Sequence, residues 1–259
     1  MQKNALKAAM EAGQPCLNGW LSIGSPFVAE IMAAQGFDAL TVDVQHGFLD
    51  YSHAMGMLQA LRGTGVTPLA RVPWNEPGII MKMLDAGAYG VICPMVNNAE
   101  EAALFASYMR YPPRGTRSFG PTRALFAAGD GYAQEANEEM LAFAMIETAD
   151  GVANVEEIAG TEGIDGLYIG PADLTLGVTN GRLAPGMDRQ EDEMIEVIKR
   201  ILAAAKSAGK FAVLHCGSAE YGAKAVGWGF DMVTISQDVK ALAGHAGAAV
   251  QTARTLLKG

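Results

Sequence analysis

The segment LAFAMIETAD (Leu141–Asp150) is an unbroken apolar run that ends on an acidic residue. GLYIGPADL (Gly166–Leu174) repeats this arrangement further along the chain, again with a carboxylate just past the apolar residues. Short apolar runs without polar alternation are typical of parallel strands that are buried on both faces. The two segments therefore predict neighbouring strands of a parallel sheet, each followed by a carboxylate at its carboxyl end.

Short apolar runs alternate with amphipathic stretches of helical length along the whole chain. Eight such units predict an α/β fold, a (β/α)₈ TIM barrel, with residues 1–259 as a single domain. The last helix is expected from about Asp238 to Leu257, and Tyr111–Met140 forms an insertion before the fifth strand. The predicted strands are Leu17–Ser22, Ala39–Val44, Pro68–Val72, Gly90–Pro94, Ala142–Glu147, Gly166–Gly170, Phe211–His215 and Met232–Ile235.

The composition disfavours several classes of partner. A formal net charge of −9 over 259 residues opposes binding to nucleic acid or to an anionic membrane surface. No apolar run reaches the roughly 18 residues that span a bilayer, and the first residues lack a signal-peptide core, so a cytoplasmic protein is expected. The three cysteines are far apart, which indicates buried thiols rather than disulfides or a zinc site.

Polar residues at the strand ends predict where the chemistry takes place. In a barrel of this kind, catalytic groups lie at the carboxyl ends of the strands and in the loops that follow them. Polar residues at the ends of four predicted strands meet this condition and should face one mouth of the barrel. Gln45 and His46 end the second strand, Arg71 ends the third, Glu147 ends the fifth and Asp173 follows the sixth.

Glu147 and Asp173 are candidate metal ligands. A carboxylate at the end of a buried strand is costly unless it is paired, hydrated or bound to a cation. Two oxygen ligands from adjacent strand ends leave room for water and substrate oxygens, which favours Mg²⁺, Mn²⁺ or Co²⁺. The spacing fits equally well with Glu147 in an ion pair with Arg71 and Asp173 as a helix cap.

Arg71 and His46 are candidates for substrate binding and proton transfer. The guanidinium of Arg71 can hold a substrate carboxylate, or it can pair with Asp43 on the neighbouring strand, and the two contacts are compatible. Histidine titrates close to neutral pH, which suits a general base, although a single histidine is more often structural. His215 is interpreted as part of the wall. No lysine is expected in the mouth, which disfavours a Schiff-base mechanism.

Six motifs occur in a fixed order: DVQHG (Asp43–Gly47), ARVPWNEP (Ala70–Pro77), LDAGAYGVICPMV (Leu84–Val96), YPPRGTRSFGP (Tyr111–Pro121), MIETADGVANVEEI (Met145–Ile158) and GLYIGPADL (Gly166–Leu174). Together they resemble the metal-dependent HpcH/HpaI aldolase family from about Gly19 to the carboxyl terminus. The resemblance implies a (β/α)₈ barrel, often assembled as a homohexamer, a trimer of dimers, in which the C-terminal helix is exchanged between subunits.

The resemblance implies how the metal and the oxoacid would be bound. Glu147 and Asp173 would bind the divalent metal ion, which is Mg²⁺, Mn²⁺ or Co²⁺. Arg71 would contact the 2-oxoacid, and the backbone amides of Ala172 and Asp173 would bind its carboxylate. The site is thus expected to hold the oxoacid between an arginine and a metal ion.

The resemblance also implies which residue would transfer protons and which residue would assist it. His46 would act through water as the base, and Asp85 would support it. From their places near Arg71 and His46, Asp43 and Gln45 are expected to be supporting residues of the site. Two positions depart from the family pattern: many relatives have Glu in place of Gln45 and Gln in place of Met145. A hydrogen bond to the oxoacid is therefore expected to be missing.

The implied activity is reversible aldol cleavage of 4-hydroxy-2-oxoacids to an aldehyde and pyruvate, or a substituted pyruvate such as hydroxypyruvate. One alternative is an acyl-CoA lyase of the malyl-CoA or citramalyl-CoA type, which would need a basic nucleotide site. Only the loop around Arg114, Arg117 and Arg123 offers that charge. The other alternative is a non-catalytic barrel that binds small acids, which the presence of both carboxylates disfavours.

Asp85 occupies a different place from the other candidates. It precedes the fourth predicted strand, so it should lie at the amino end of the barrel, away from its own mouth. If it supports a catalytic His46, that histidine must belong to a neighbouring subunit. Asp85 otherwise forms only a turn before Gly87. The sequence leaves both interpretations open.

Overall fold

The computed structural model describes residues 1–258. Its strands are β1 (Cys16–Leu21), β2 (Ala39–Asp43), β3 (Thr67–Arg71), β4 (Gly90–Cys93), β5 (Leu141–Ile146), β6 (Gly166–Ile169), β7 (Phe211–His215) and β8 (Met232–Gln237). All are parallel and form a closed barrel in chain order, with β8 hydrogen-bonded to β1. The predicted (β/α)₈ barrel is confirmed, and the strand ends differ from the prediction by at most two residues.

Helices connect the strands on the outside of the barrel. They are α1 (Ala5–Glu11), α2 (Pro26–Ala33), α3 (Tyr51–Ala60), α4 (Pro77–Asp85), α5 (Ala99–Met109), α6 (Thr122–Ala128), α7 (Tyr132–Glu139), α8 (Ala149–Ala153), α9 (Val155–Gly160), α10 (Pro171–Thr179), α11 (Asp192–Ser207), α12 (Ala219–Trp228) and α13 (Asp238–Leu256). The predicted insertion contains α6 and α7. Among the described residues, no helix is both long and apolar enough to cross a membrane.

The unbroken apolar pattern of the strands is explained by burial on both faces. All six residues of β5 are buried, as the sequence predicted. Inward-facing side chains of the strands form one cluster, which includes Trp20, Phe143, Tyr168 and Val213. Outward-facing side chains pack beneath the helices in a second cluster. The barrel is thus filled, and space for a ligand remains only at its ends.

Polar caps fix the loops that leave the carboxyl ends of the strands. Each cap side chain accepts a backbone N–H from the first turn of the following helix, which satisfies a donor that the helix cannot pair itself. These caps fix the backbone conformation of the loops around the mouth. They are Ser25 for α2, Asp50 for α3, Glu76 for α4, Asn98 for α5, Thr148 for α8 and Ser218 for α12.

The register between β2 and β3 brings Asp43 opposite Arg71 at the last residue of both strands. One detail of the prediction is wrong here: β2 ends at Asp43, and Gln45 and His46 lie in the turn that follows rather than on the strand. The cause is the Asp43 carboxylate, whose Oδ1 accepts the backbone N–H of both residues at 3.2 Å. The turn therefore directs His46 over the barrel mouth.

Helix α13 leaves the barrel after its first residue. Asp238 is buried, whereas nearly all later residues of the helix are exposed, including the apolar side chains Leu242, Val250 and Leu256. Exposed large apolar side chains also occur on α2, at Phe27 and Ile31. An apolar helix without a surface of its own chain to cover marks a place for contact with another molecule.

Asp238 ties β8 to β1, and its removal should weaken the barrel. The buried carboxylate accepts the backbone N–H of Ser22 at 3.0 Å and of Ile23 at 2.9 Å. Because Asp238→Ala leaves both donors without an acceptor, we expect the free energy of unfolding to fall by about 2–4 kcal/mol in urea titrations at fixed protein concentration. Asp238→Asn retains one acceptor oxygen and should lose less. An unchanged Asp238→Ala midpoint would contradict this role.

Candidate active site

A cavity of about 420 Å³ opens at the carboxyl ends of the strands. The strand-end candidates Arg71 and Glu147 line this cavity with His46 and Asp173, whereas Gln45, predicted at the same mouth, does not. Asp85 is not among the lining residues, and neither is any lysine in the described part of the chain. The lining residues are Trp20, Ser22, Asp43, His46, Phe48, Arg71, Met145, Glu147, Gly170, Pro171, Ala172, Asp173, Met187, His215, Gln237 and Val239.

Asp43 holds Arg71 in a fixed position at the floor of the cavity. Arg71 donates to Asp43 through Nε at 2.9 Å and through Nη2 at 2.7 Å, and the Trp20 indole N–H donates to the same carboxylate at 3.0 Å. Burial alone would raise the pKa of Asp43, but the Arg71 guanidinium, the Trp20 N–H and the His46 backbone N–H together lower it below its usual value. Arg71 Nη1 donates to no described residue, so one edge of the guanidinium remains free to bind a ligand.

The ion pair between Glu147 and Arg71, which the spacing left open, does not form in the structure. Glu147 instead accepts the backbone N–H of Met95 at 2.9 Å, and Arg71 pairs with Asp43. Met95 has a φ of 56°, a left-handed conformation that is rare for a residue other than glycine. Strained backbone of this kind is concentrated at functional sites, and here it directs an N–H to a buried carboxylate.

Glu147 is destabilised as a carboxylate unless a cation is near. Its residue surface is only 3% exposed. Burial raises the pKa of Glu147 to about 7, and the nearby charge of Asp173 acts in the same direction. Two carboxylates that repel each other in a partly dry cavity are costly to keep charged. A divalent cation bound to both would reduce that cost.

Asp173 lies in the first turn of α10 and makes no cap contact there, so its alternative role as a helix cap is not observed. Gly170 precedes this helix, and a side chain at its position would have to displace the ends of two neighbouring side chains. A Cβ at this position would lie 2.5 Å from Glu147 Oε2 and 2.5 Å from the Met145 methyl group. Gly170 therefore lets the two strand ends approach, which keeps Glu147 and Asp173 in one cavity.

The donor set fits an open site for a hard cation. Among residues 1–258, no group of three or more His, Cys, Asp or Glu side chains is close enough to form a closed metal site. Glu147 and Asp173 supply two carboxylates, and water and substrate oxygens would complete the shell of Mg²⁺, Mn²⁺ or Co²⁺. The arrangement fits the predicted kind of metal and does not fit structural zinc.

The two departures from the family pattern have visible consequences. Met145 lines the cavity beside Glu147 and presents a thioether and methyl group in place of an amide. Gln45 does not line the cavity, and its side-chain carbonyl oxygen is buried without a partner among the described residues. Neither residue donates a hydrogen bond into the site.

Asp85 lies at the end of α4, at the opposite end of the barrel from the mouth of its own chain, as the sequence predicted. It accepts a hydrogen bond from Arg117 Nη2 at 2.7 Å. Arg114 pairs with Glu138, and Arg123 donates to backbone carbonyls, including that of Leu58. The arginines of this loop are thus already engaged within the chain, which disfavours a nucleotide site.

Sequence reasoning missed the polar groups beneath the cavity. His215 was interpreted as wall, which is where it lies, but its contact with Tyr168 was not predicted. Trp20 was not named at all, although it touches both Asp43 and the His215 ring. The available signal was polar or aromatic residues inside otherwise apolar strands, such as Asn18 and Thr234.

The fold and this cavity define an enzyme of the (β/α)₈ class, with its chemistry at the carboxyl mouth. Comparison with known proteins agrees. A family model described as HpcH/HpaI aldolase/citrate lyase matches residues 18–244. A hydroxypyruvate/pyruvate aldolase of Rhizorhabdus wittichii is 40% identical over 253 residues, 98% of this chain and 100% of the relative.

A second relative and a solved structure extend this result. A 5-keto-4-deoxy-D-glucarate aldolase of Salmonella paratyphi A is 34% identical over 92% of each chain. A HpcH/HpaI aldolase/citrate lyase family protein from Burkholderia cenocepacia has a TM-score of 0.88 at 30% identity, covering 97% of this chain and 99% of that one. The chain belongs to the HpcH/HpaI aldolase/citrate lyase family. The predicted family and the aldolase type of carbon–carbon lyase are confirmed.

Gly170→Ala tests the geometry of the two carboxylates. The added methyl group would displace Glu147 or Met145, so we expect Mn²⁺ affinity to fall at least about ten-fold in calorimetric titrations, as the loss of a well-placed supporting contact typically does. Gly160→Ala is the matched control, because a Cβ there meets nothing within 4 Å. Equal Mn²⁺ affinity in both variants would show that the close approach at Gly170 is irrelevant to the metal.

Proposed function

We propose that the protein is a divalent-metal-dependent class II aldolase. It catalyses the reversible cleavage of 4-hydroxy-2-oxoacids to an aldehyde and pyruvate or hydroxypyruvate. The observation that carries the proposal is the shared cavity, which Glu147, Asp173 and Arg71 line together. The names of the two aldolase relatives support the same class of substrate.

Glu147 and Asp173 would hold the metal ion, and Mg²⁺, Mn²⁺ and Co²⁺ fit their oxygen atoms. A divalent cation there would act as a Lewis acid on the 2-oxo group and make the C3 protons more acidic. The raised pKa of Glu147 supports this assignment, because a cation compensates for the cost of its buried charge.

Arg71 and the start of α10 would orient the oxoacid. The open edge of the guanidinium can donate to a substrate oxygen while Asp43 fixes the other edge. The backbone N–H groups of Ala172 and Asp173 lie in the first turn of α10, where a helix has unpaired donors and a partial positive charge that favours a carboxylate. These contacts would hold the acid group away from the reacting carbon.

His46 would carry the proton between the substrate and water. It lines the cavity on the turn that Asp43 fixes, so its ring reaches the same space as Arg71. In cleavage it would accept the proton of the C4 hydroxyl group as the C3–C4 bond breaks, and it would return a proton to C3 of the released acid. No lysine lines the cavity among the described residues, so an amine for a Schiff base is not at hand.

The proposal includes a homo-oligomer, a hexamer built as a trimer of dimers, in the cytoplasm. The exposed apolar side chains of α13 support an exchange of this helix between subunits. Asp85 supports a shared active site, because it is far from its own mouth and would assist His46 only in a neighbour. The charge of −9 and the free, buried cysteines are consistent with the cytoplasm and with small acids rather than nucleic acid as ligands.

Removal of the metal should abolish activity. We expect excess chelator to stop cleavage of 4-hydroxy-2-oxoacids, and Mg²⁺, Mn²⁺ or Co²⁺ to restore it. Glu147→Gln should depress kcat/KM by at least about 100-fold, because the metal then loses one of its two carboxylate ligands. Borohydride with pyruvate should leave the mass of the protein unchanged. Full activity in chelator, or a reduced lysine adduct, would exclude this mechanism.

Mixed oligomers test the role of Asp85. His46→Ala and Asp85→Ala subunits would each lack one partner, but co-assembly would create some sites with both residues intact. We therefore expect the kcat of the mixed oligomer to be well above that of either single variant. Light scattering should show that the size of the assembly is unchanged. If kcat does not recover in verified mixed oligomers, each active site is formed by one chain alone.

A further inference from the structure

A continuous chain of buried hydrogen bonds crosses the barrel interior and ends at His215 in the cavity. Thr41 Oγ1 donates to Asn18 Oδ1 at 3.1 Å, and Asn18 Nδ2 donates to Thr234 Oγ1 at 2.8 Å. Thr234 Oγ1 lies 2.7 Å from the Tyr168 hydroxyl, which lies 3.1 Å from His215 Nδ1. The first four residues are fully buried, and the proposed function assigns no task to any of the five.

The direction of this chain follows from the number of protons. If Tyr168 donated to Thr234, the Thr234 hydroxyl proton would have no acceptor among the described residues. If Thr234 donates to Tyr168, every hydroxyl proton in the chain has an acceptor, and the Tyr168 hydroxyl donates to His215 Nδ1. Buried polar groups are almost always paired, so the second arrangement is favoured. It fixes His215 with its hydrogen on Nε2.

The His215 ring is also fixed in place and uncharged. The Trp20 ring lies 4.7 Å from it in an edge-on contact, so the imidazole is held on its inner side by Tyr168 and against Trp20. Burial, with the charge of Arg71, lowers the pKa of His215 to about 3. Nε2 bonds to no described residue although the ring lines the cavity. The site thus contains a rigid, neutral N–H donor in the cavity that the proposed metal ligands also line.

We propose that His215 is a specificity-determining residue that donates from Nε2 to a hydroxyl group on the substrate. The inference rests on the proposed aldolase function and deepens it. The reacting oxygens already have stronger partners, namely the Arg71 guanidinium and the metal site, so a neutral donor contributes most at an uncharged oxygen further along the carbon chain. That hydroxyl belongs either to a hydroxylated oxoacid such as hydroxypyruvate or to a 2-hydroxyaldehyde.

A two-by-two set of substrates separates these sources. The metal-loaded enzyme would be assayed in the direction of aldol addition with pyruvate or hydroxypyruvate as donor and propanal or glycolaldehyde as acceptor. In His215→Leu we expect kcat/KM to fall roughly three- to ten-fold for the pairs that carry the recognised hydroxyl, which is the effect of one neutral hydrogen bond. Pyruvate with propanal is the internal control and should change little.

Two amide variants form a matched pair. Gln places its amide near the position of Nε2, whereas Asn reaches only the position of Nδ1, so His215→Gln should retain most of the preference and His215→Asn should lose it. Tyr168→Phe leaves the ring unanchored and should lower the same preference partially. A uniform loss over all four substrate pairs, no change in His215→Leu, or retention of the preference in His215→Asn would overturn the proposal.

The protonation state can be measured without turnover. In protein labelled with ¹⁵N-histidine, the His215 signals are identified by their loss in His215→Gln, and we expect a protonated Nε2 and an unprotonated Nδ1. A proton on Nδ1 would overturn the proposal even in an active enzyme. Absence of aldol activity with all four substrate pairs, together with the expected tautomer, would instead count against the proposed function.

Discussion

The repulsion between two carboxylates at a dry strand end is the constraint on which the active site depends. Glu147 is almost entirely buried and close enough to Asp173 for the second charge to raise its pKa. The chain accommodates this cost with a left-handed Met95 that directs an N–H to Glu147 and with a glycine at position 170. A divalent cation bound by both carboxylates would offset this cost, as the proposed function requires.

Arg71 brings a positive charge to the same cavity. Its pair with Asp43 fixes its orientation, and the arginine forms no ion pair with Glu147. The remaining edge gives a short, directional contact to a substrate oxygen. If Glu147 and Asp173 hold a metal ion as proposed, a small 2-oxoacid could contact both that ion and the unpaired Nη1 of Arg71, because these residues line one cavity with His46.

The sequence predicted the barrel, its strands and the residues at its mouth because burial on both faces leaves an unmistakable pattern of apolar runs, as in Leu141–Ile146. Position after a strand was enough to place Glu147 and Arg71 in one cavity. The strained Met95 and the contact from Tyr168 to His215 could not be predicted, because they depend on loop conformation and strand stagger rather than on residue type. Spacing alone also could not choose Asp43 over Glu147 as the partner of Arg71.

The most direct test of this account is the position of the metal ion. Crystals of the Mn²⁺-loaded protein with hydroxypyruvate should show one anomalous-scattering peak in the mouth of each barrel, about 2.0–2.3 Å from carboxylate oxygens of both Glu147 and Asp173. The oxoacid should lie between this peak and Arg71. A metal peak elsewhere, or an oxoacid bonded to a lysine with no metal beside these carboxylates, would contradict the account.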